Sequence, residues 1–257
     1  MTVEIKNLSK AFEDHVVLDD ISLSIKEGEN FVVFGRSGTG KSVLLKCIVG
    51  LLIPDSGEII IDGENILTLS EKELNRIRKQ IGFVFQGSAL YDSMTVKENL
   101  EFPLIRNFNF PEKERSHKIK TVLEKVDLLD AINKMPAELS GGMKKRIGLA
   151  RTIITEPQLV LYDEPTTGLD PITTKEISRL IVDLQEDLNV TAIVVTHDLI
   201  CAHIIADHAV VLKDGKIRYE GELNKLTSTN DEFLNDFFDR EFFSKPTISL
   251  EAKKGSK

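Results

Sequence analysis

Gly35-Arg36-Ser37-Gly38-Thr39-Gly40-Lys41-Ser42 fits the pattern G-x-x-x-x-G-K-[ST] at every fixed position. An apolar run, Phe31 to Phe34, leads in, and a helical pattern, Val43 to Leu52, leads out. That is the strand–loop–helix context the pattern requires. Glycines allow backbone N–H groups to turn inward around phosphate oxygens, and a helix N-terminus adds a favourable dipole. Lys41 is expected to reach β- and γ-phosphates, and the Ser42 hydroxyl to ligate Mg²⁺. Gly35, Arg36, Ser37, Gly38, Thr39, Gly40 and Val43 complete the candidate phosphate-binding set. A glycine-rich turn that binds nothing needs neither Lys41 nor Ser42.

Composition narrows the classes. With 257 residues the chain has room for one large α/β domain, or for a core with an inserted subdomain. The formal net charge of −8 argues against a general grip on nucleic acid. No apolar run approaches the roughly 20 residues that span a bilayer. Met1 to Ile5 has neither the basic start nor the long apolar stretch of a signal peptide. The expected location is therefore the cytosol, with any membrane contact made through a partner. Cys47 and Cys201 lie far apart in apolar helical patterns and read as reduced, packed thiols.

Residues 3–8, 16–25 and 31–34 read as short strands, with Gly28 turning the chain before the last. Glu58 to Gly63 reads as a strand and its turn. Ser70-x-x-Glu73 is a capping box for a short helix to Lys79, and Ile81 to Gln86 reads as a buried strand. A second capping box, Thr95-x-x-Glu98, opens a mostly helical stretch to Leu139 that Pro111 and Pro136 punctuate. A helix from Gly142 to Thr155 follows. Strands then alternate with helices: Leu159–Tyr162, helix 171–188, Thr191–Thr196, helix 199–206 and Ala209–Leu212. Such alternation predicts a mainly parallel sheet with helices on both faces.

Leu159-Val160-Leu161-Tyr162-Asp163-Glu164 is an apolar run ending in two carboxylates. A buried strand releases such a pair only at its C-terminal tip, where open α/β sheets bind ligands. Asp163 is then placed to hold a Mg²⁺ shell, and Glu164 to polarise an attacking water. A solvated turn is the plain alternative; the upstream phosphate loop and the following Pro165-Thr166-Thr167-Gly168-Leu169-Asp170 weigh against it.

Leu139-Ser140-Gly141-Gly142-Met143 resembles the LSGGQ signature of ATP-binding-cassette ATPases, with Met143 in the last place. Gln86, after Phe83-Val84-Phe85, resembles that family's Q-loop glutamine; Gly168-Leu169-Asp170 resembles its D-loop, and His197 in Val195-Thr196-His197-Asp198 its switch histidine. Phe12 stands where the family stacks an aromatic on adenine, an ordinary core phenylalanine being the other reading. The match runs from Val3 to Gly221. It implies a P-loop fold with a RecA-like parallel core, an antiparallel β subdomain and an inserted helical subdomain at about 88–156, all within 1–222. It also implies ATP and Mg²⁺ held by a head-to-tail homodimer. Each nucleotide would lie between one phosphate loop and the other chain's Ser140, Gly141 and Gly142, with Asp170 contributing across the interface. Gln86 would join Ser42 and Asp163 at the metal and, with Lys41, Glu164 and His197, serve hydrolysis. His15, His117, His203 and His208 read as surface or core residues.

The wording Gln86-Gly87-Ser88-Ala89-Leu90-Tyr91-Asp92-Ser93-Met94-Thr95-Val96, with Ser42-Val43 and Met143, resembles the Mla/Mkl group of cassette ATPases. That group powers lipid transport with an MlaE-like permease and an MlaD-like MCE-domain protein. The resemblance implies an ATPase on the cytoplasmic face of the inner membrane, touching lipid only through partners. Leu90, Tyr91 and Met94 suit contact with a permease helix or packing within the subdomain. A cassette for another cargo, a soluble nucleic-acid- or translation-associated ATPase and a non-hydrolysing switch are the rivals. The last has no use for Glu164 or His197. Beyond Thr229-x-x-Glu232, Phe233, Phe237 and Phe238 share a helical face. A helical extension is expected over 223–245, packed on its own domain or on the second subunit, before a tail at 246–257.

Overall fold

The computed structural model describes residues 1–108, 110–223 and 225. In chain order its strands and helices are β1 (Val3–Phe12), β2 (His15–Ile25), β3 (Asn30–Phe34), α1 (Lys41–Ile48), β4 (Ser56–Ile61), β5 (Glu64–Asn65), α2 (Glu71–Arg78) and β6 (Ile81–Val84). Then come α3 (Val96–Asn107), α4 (Glu112–Lys125), α5 (Gly141–Ile153), β7 (Leu159–Asp163), α6 (Pro171–Leu188), β8 (Thr191–Thr196), α7 (Leu199–Ile205), β9 (His208–Lys213) and β10 (Lys216–Gly221). One sheet is antiparallel, in the order β2-β1-β4-β5. The other runs β10-β9-β3-β8-β7-β6 and is parallel except for its β10 edge.

The parallel strands read as unbroken apolar runs because both of their faces are covered. Phe31, Val33, Leu159, Leu161, Ile193 and Val195 join a core with α1 and the antiparallel sheet. Their neighbours Val32, Phe34, Val160, Tyr162, Ala192 and Val194 join the opposite core, built with the helices α3 to α7. The period-2 alternation of the pleat thus divides one hydrophobic run between two cores. The helices α3, α4 and α5 occupy the chain between β6 and β7. Both predicted capping boxes form: Ser70 with Glu73 and Thr95 with Glu98. Each satisfies two otherwise unpaired amides at a helix start.

Several boundaries differ from the sequence pattern. The helix after the phosphate loop begins at Lys41 and ends at Ile48, short of Leu52, because Gly50 at φ +70° lets the Leu51 and Leu52 amides turn back to the Lys46 carbonyl at 2.8 and 3.0 Å. β6 stops at Val84, so Gln86 lies beyond it in a loop. β1 extends past Leu8 to Phe12 through register shifts. β10 was not among the expected strands. It is a half-exposed edge, joined to β9 by Asp214-Gly215, both at positive φ. The extension expected over 223–245 and the tail over 246–257, with Phe233, Phe237 and Phe238, lie outside the described residues, save 223 and 225.

The antiparallel sheet depends on one close approach. Gly57 has φ +96°, and a Cβ there would lie 2.6 Å from the Lys6 and Asn7 carbonyl oxygens and from Leu8 Cα. It sits where the β1–β4 register shifts between Lys6 and Ser9. Gly57→Ala is expected to cost at least about 2 kcal/mol of stability, since backbone and not a pliable side chain must move. A lowered denaturant midpoint at unchanged slope would register it.

Candidate nucleotide site

The phosphate loop leaves β3 at Phe34 and enters α1 at Lys41. Gly40 is at φ +97°, and a Cβ there would lie 2.8 Å from the Val17 carbonyl oxygen, so only glycine lets the loop close against β2. No side chain caps the start of α1, which leaves its first amides directed into the loop. Lys41 is buried; its Nζ donates to the Gly35 and Arg36 carbonyls at 2.7 and 3.0 Å and lies 3.1 Å from Glu164 Oε1. Ser42 Oγ donates to Asp163 Oδ1 at 2.6 Å.

Strand order explains this convergence. β8 lies between β3 and β7, with Phe34 opposite Thr196 and Asp163 opposite Val195. The phosphate loop, the Asp163-Glu164 tip and His197 therefore leave three adjacent parallel strands at the same end. Glu164 departs from the strand at φ +50°, its amide donating to the Val195 carbonyl at 2.9 Å. Its Oε2 lies 2.8 Å from His197 Nδ1 and accepts from Thr167 Oγ1 at 3.3 Å. This nearly buried carboxylate thus bridges an ammonium and an imidazole. Phe12, Ser37, Gly38, Val43 and Gln86 line the same cleft, of about 670 Å³. So does His15, read from sequence as an ordinary histidine; it is paired with Phe12 across the β1–β2 hairpin. The other three histidines lie elsewhere: His117 and His203 are exposed, and His208 stacks on Phe31 with centroids 5.5 Å apart.

Ser140, Gly141, Gly142 and Asp170 are not part of that cleft. They line a second one, of about 570 Å³, which shares no lining residue with the first. Ser140 caps α5, its hydroxyl accepting from the Met143 amide at 3.2 Å. Asp170 caps α6 through the Ile172 and Thr173 amides at 3.0 and 3.1 Å. The Thr173 hydroxyl and these amides hold the Asp170 carboxyl below the usual aspartate range. A Cβ on Gly142 would meet Thr173 Cγ2 at 3.0 Å, so glycine lets the two helix starts pack closely.

A family model described as ABC transporter matches residues 18–167. The chain belongs to the ABC transporter family. It is 42% identical over 229 residues, 89% of its length and 87% of the relative's, to the intermembrane phospholipid transport system ATP-binding protein MlaF of Haemophilus influenzae. It is 41% identical, over 87% of its length and 68% of the relative's, to the methionine import ATP-binding protein MetN of Carboxydothermus hydrogenoformans. Among solved structures, the dimeric ATP-binding cassette MJ0796 bound to ADP and Pi superposes with a TM-score of 0.78 at 36% identity, covering 86% of this chain and 98% of that one. Binding and hydrolysis of ATP are this ABC protein's activity.

In this cassette α5 grips the Gln86 loop at successive points. Lys145 Nζ donates to the Gln86 carbonyl at 2.5 Å, and Arg151 Nη1 to the Ala89 carbonyl at 2.5 Å. Gly148 packs on Ser88, where a Cβ would lie 3.2 Å from the Ser88 Cβ and carbonyl oxygen. Ser88 and Ala89 are both at positive φ, a strained turn that these contacts hold. Burial lowers the pKa of the Lys145 ammonium, with the Glu164 carboxylate acting against it. Beyond the turn, fully buried Asn99 accepts from the Tyr91 amide at 2.8 Å. Its Nδ2 also reaches the Tyr91, Met94 and Thr95 carbonyls at 3.1, 3.0 and 3.0 Å. Lys145, Arg151 and Asn99 escaped the sequence reading. A polar side chain at a core position of a helix was the available signal, clearest for Asn99 beside apolar Val96 and Leu100.

Asn99→Ala would remove the acceptor of the Tyr91 amide and a donor to the Met94 carbonyl, while the Tyr91 and Thr95 carbonyls keep the Met94 and Asn99 amides; each lost bond costs about 0.5–1.5 kcal/mol. Amide exchange at Tyr91 is expected to accelerate at least about tenfold, with α6 amides unchanged. Equal protection in both proteins would show that the loop does not depend on Asn99.

Proposed function

We propose that two copies of this chain close head to tail on two ATP molecules and drive the movement of phospholipid through a membrane partner. The bridged position of Glu164, between Lys41 and His197 at the end of β7, carries the hydrolytic part of this reading. The phosphate loop and Lys41 hold the triphosphate, and Phe12 takes the base. Phosphate oxygens compete with Glu164 for Lys41. Once Lys41 turns to phosphate, Glu164 Oε1 is open to accept a proton from an attacking water. His197 stays bound to Oε2 and offers its other ring nitrogen to the γ-phosphate.

Ser42 and Asp163 supply a hydroxyl and a carboxylate 2.6 Å apart, and no group of three or more His, Cys, Asp or Glu that could cage a metal occurs among the described residues. This donor set suits Mg²⁺, which prefers few protein oxygens together with phosphate and water. Gln86 lines the same cleft and would join them. A Mg²⁺ ion held by Ser42, Asp163 and Gln86 would neutralise charge on the phosphates. The second copy supplies the start of α5, Ser140 to Gly142, to the γ-phosphate, and its Asp170 reaches across. That the two clefts share no lining residue within one chain supports this arrangement, as does the dimeric MJ0796 cassette.

Phe85, Tyr91 and Ile105 are large apolar side chains exposed by 41, 42 and 60%. Phe85 lines a groove of about 210 Å³ between β6, α3 and α5, and Tyr91 packs on Arg151, which lines it too. Such a surface suits a cytoplasmic helix of an MlaE-like permease, with an MlaD-like MCE protein completing the complex. No described helix is long and apolar enough to cross a membrane; the similarity to MlaF supports placement on the cytoplasmic face of the inner membrane through that partner. Phospholipid is the favoured cargo, from the similarity to MlaF and the wording of residues 86–96. The similarity to MetN supports amino-acid import as a second reading.

Glu164→Gln is expected to bind ATP within about 3-fold of the parent and to dimerise, while kcat falls at least about 100-fold. Undiminished turnover would remove Glu164 from the mechanism. For cargo, purification of the complex from detergent-solubilised membranes should recover a multi-span permease, an MCE protein and phospholipid. Recovery of a solute-binding protein, with methionine stimulating ATP hydrolysis, would favour the second reading.

A further inference from the structure

Asp55 lies outside the nucleotide cleft, and no motif includes it. β1 pairs with β4 from Val3 opposite Ile61 as far as Ser9 opposite Ser56, where β4 begins. Beyond Ser9, β1 continues to Phe12 with only β2 at its side, and its register shifts between Lys10 and Ala11. The arm bearing Phe12 would therefore have an unpaired edge. Asp55 takes the place of the missing strand. Its amide donates to the Ser9 carbonyl at 2.9 Å, its Oδ2 accepts from the Ala11 amide at 2.6 Å, and its Oδ1 accepts from Lys10 Nζ at 2.8 Å. Lys10 and Phe12, two residues apart, share a strand face, and Lys10 Nζ lies 5.4 Å from the Phe12 ring centroid. The carboxylate thus holds the backbone just before Phe12 and the ammonium that packs on its ring. The hydrogen bond from Lys10, and then that from Ala11, keeps the Asp55 carboxyl below the usual aspartate range.

Asp55 is also tied to the phosphate end. α1 starts in the phosphate loop, and its closing turn at Gly50 leads directly through Pro54 to Asp55. One helix and one carboxylate therefore span the distance between the loop that binds phosphates and the ring that meets the base. We propose that Asp55 is a positioning residue for the nucleotide base: it acts through Phe12 and sets the spacing between the base-binding and phosphate-binding ends of the cleft. The inference rests on the reading that Phe12 stacks on the base.

The test is calorimetric titration of the full-length protein with ATP and, separately, with inorganic tripolyphosphate, which has no base. Asp55→Ala is expected to weaken ATP about 3- to 10-fold, part of the worth of one stacked base, and to leave tripolyphosphate unchanged. Asp55→Asn keeps an acceptor for the Ala11 amide and should restore most of the loss. In a Phe12→Ala background, Asp55→Ala should add nothing. Equal weakening of ATP and tripolyphosphate would overturn the inference in favour of general damage to the fold. So would a further loss of ATP affinity in the Phe12→Ala background. If Phe12→Ala weakens ATP and Asp55→Ala does not, Asp55 alone loses its role. If Phe12→Ala has no effect, the stacking reading fails and takes this inference with it.

Discussion

Glu164 leaves β7 in a left-handed backbone conformation, its carboxylate clamped between the Lys41 ammonium and the His197 imidazole. A side chain bearing a Cβ at positive φ costs on the order of 1–3 kcal/mol, and a nearly buried carboxylate is tolerated only when paired. Both penalties are met by the register of β3, β8 and β7. Those strands bring Lys41 and His197 to within bonding distance of the carboxylate, and the Val195 carbonyl takes the Glu164 amide. A one-residue slip of β7 against β8 would turn Asp163 and Glu164 away from Ser42 and Lys41 and drive Tyr162 and Leu161 into the wrong cores. The packing that stabilises the fold is therefore also what aligns the chemistry.

A second consequence concerns the distribution of parts. The cleft with the phosphate loop and the cleft with Ser140 and Asp170 share no lining residue, yet α5 touches both regions: its first turn lines the second cleft, and Lys145 and Arg151 hold the loop that carries Gln86. A helix is stiff over this length, so α5 joins the Gln86 loop and the second cleft through one rigid element. The strained pair Ser88 and Ala89 lies under that helix, and Asn99 extends the same control to residues 91–95, next to the exposed apolar patch. Buried polar contacts of this kind are directional where apolar packing is not, and so they fix one loop shape among many of similar burial.

The amino-acid order by itself determined the parallel core, because runs such as Leu159 to Tyr162 are too apolar to sit anywhere but between two covered faces. It also determined both capping boxes, the phosphate loop and the identity of the carboxylate pair. These are local: each depends on residues within a few positions of one another, where backbone geometry and side-chain reach are set by spacing alone. The edge strand Lys216–Gly221 was missed because its alternation is half polar and its pairing lies across a hairpin turn. Only the tertiary structure decided that Glu164 would meet both Lys41 and His197, that His15 would face the nucleotide cleft, and that Lys145, Asn99 and Asp55 would steady loops distant in sequence or in space. The reason is physical: hydrogen bonds and ion pairs between remote segments depend on strand order, register and helix placement. Those arise from the burial of the whole chain and leave no periodic trace around the individual residue.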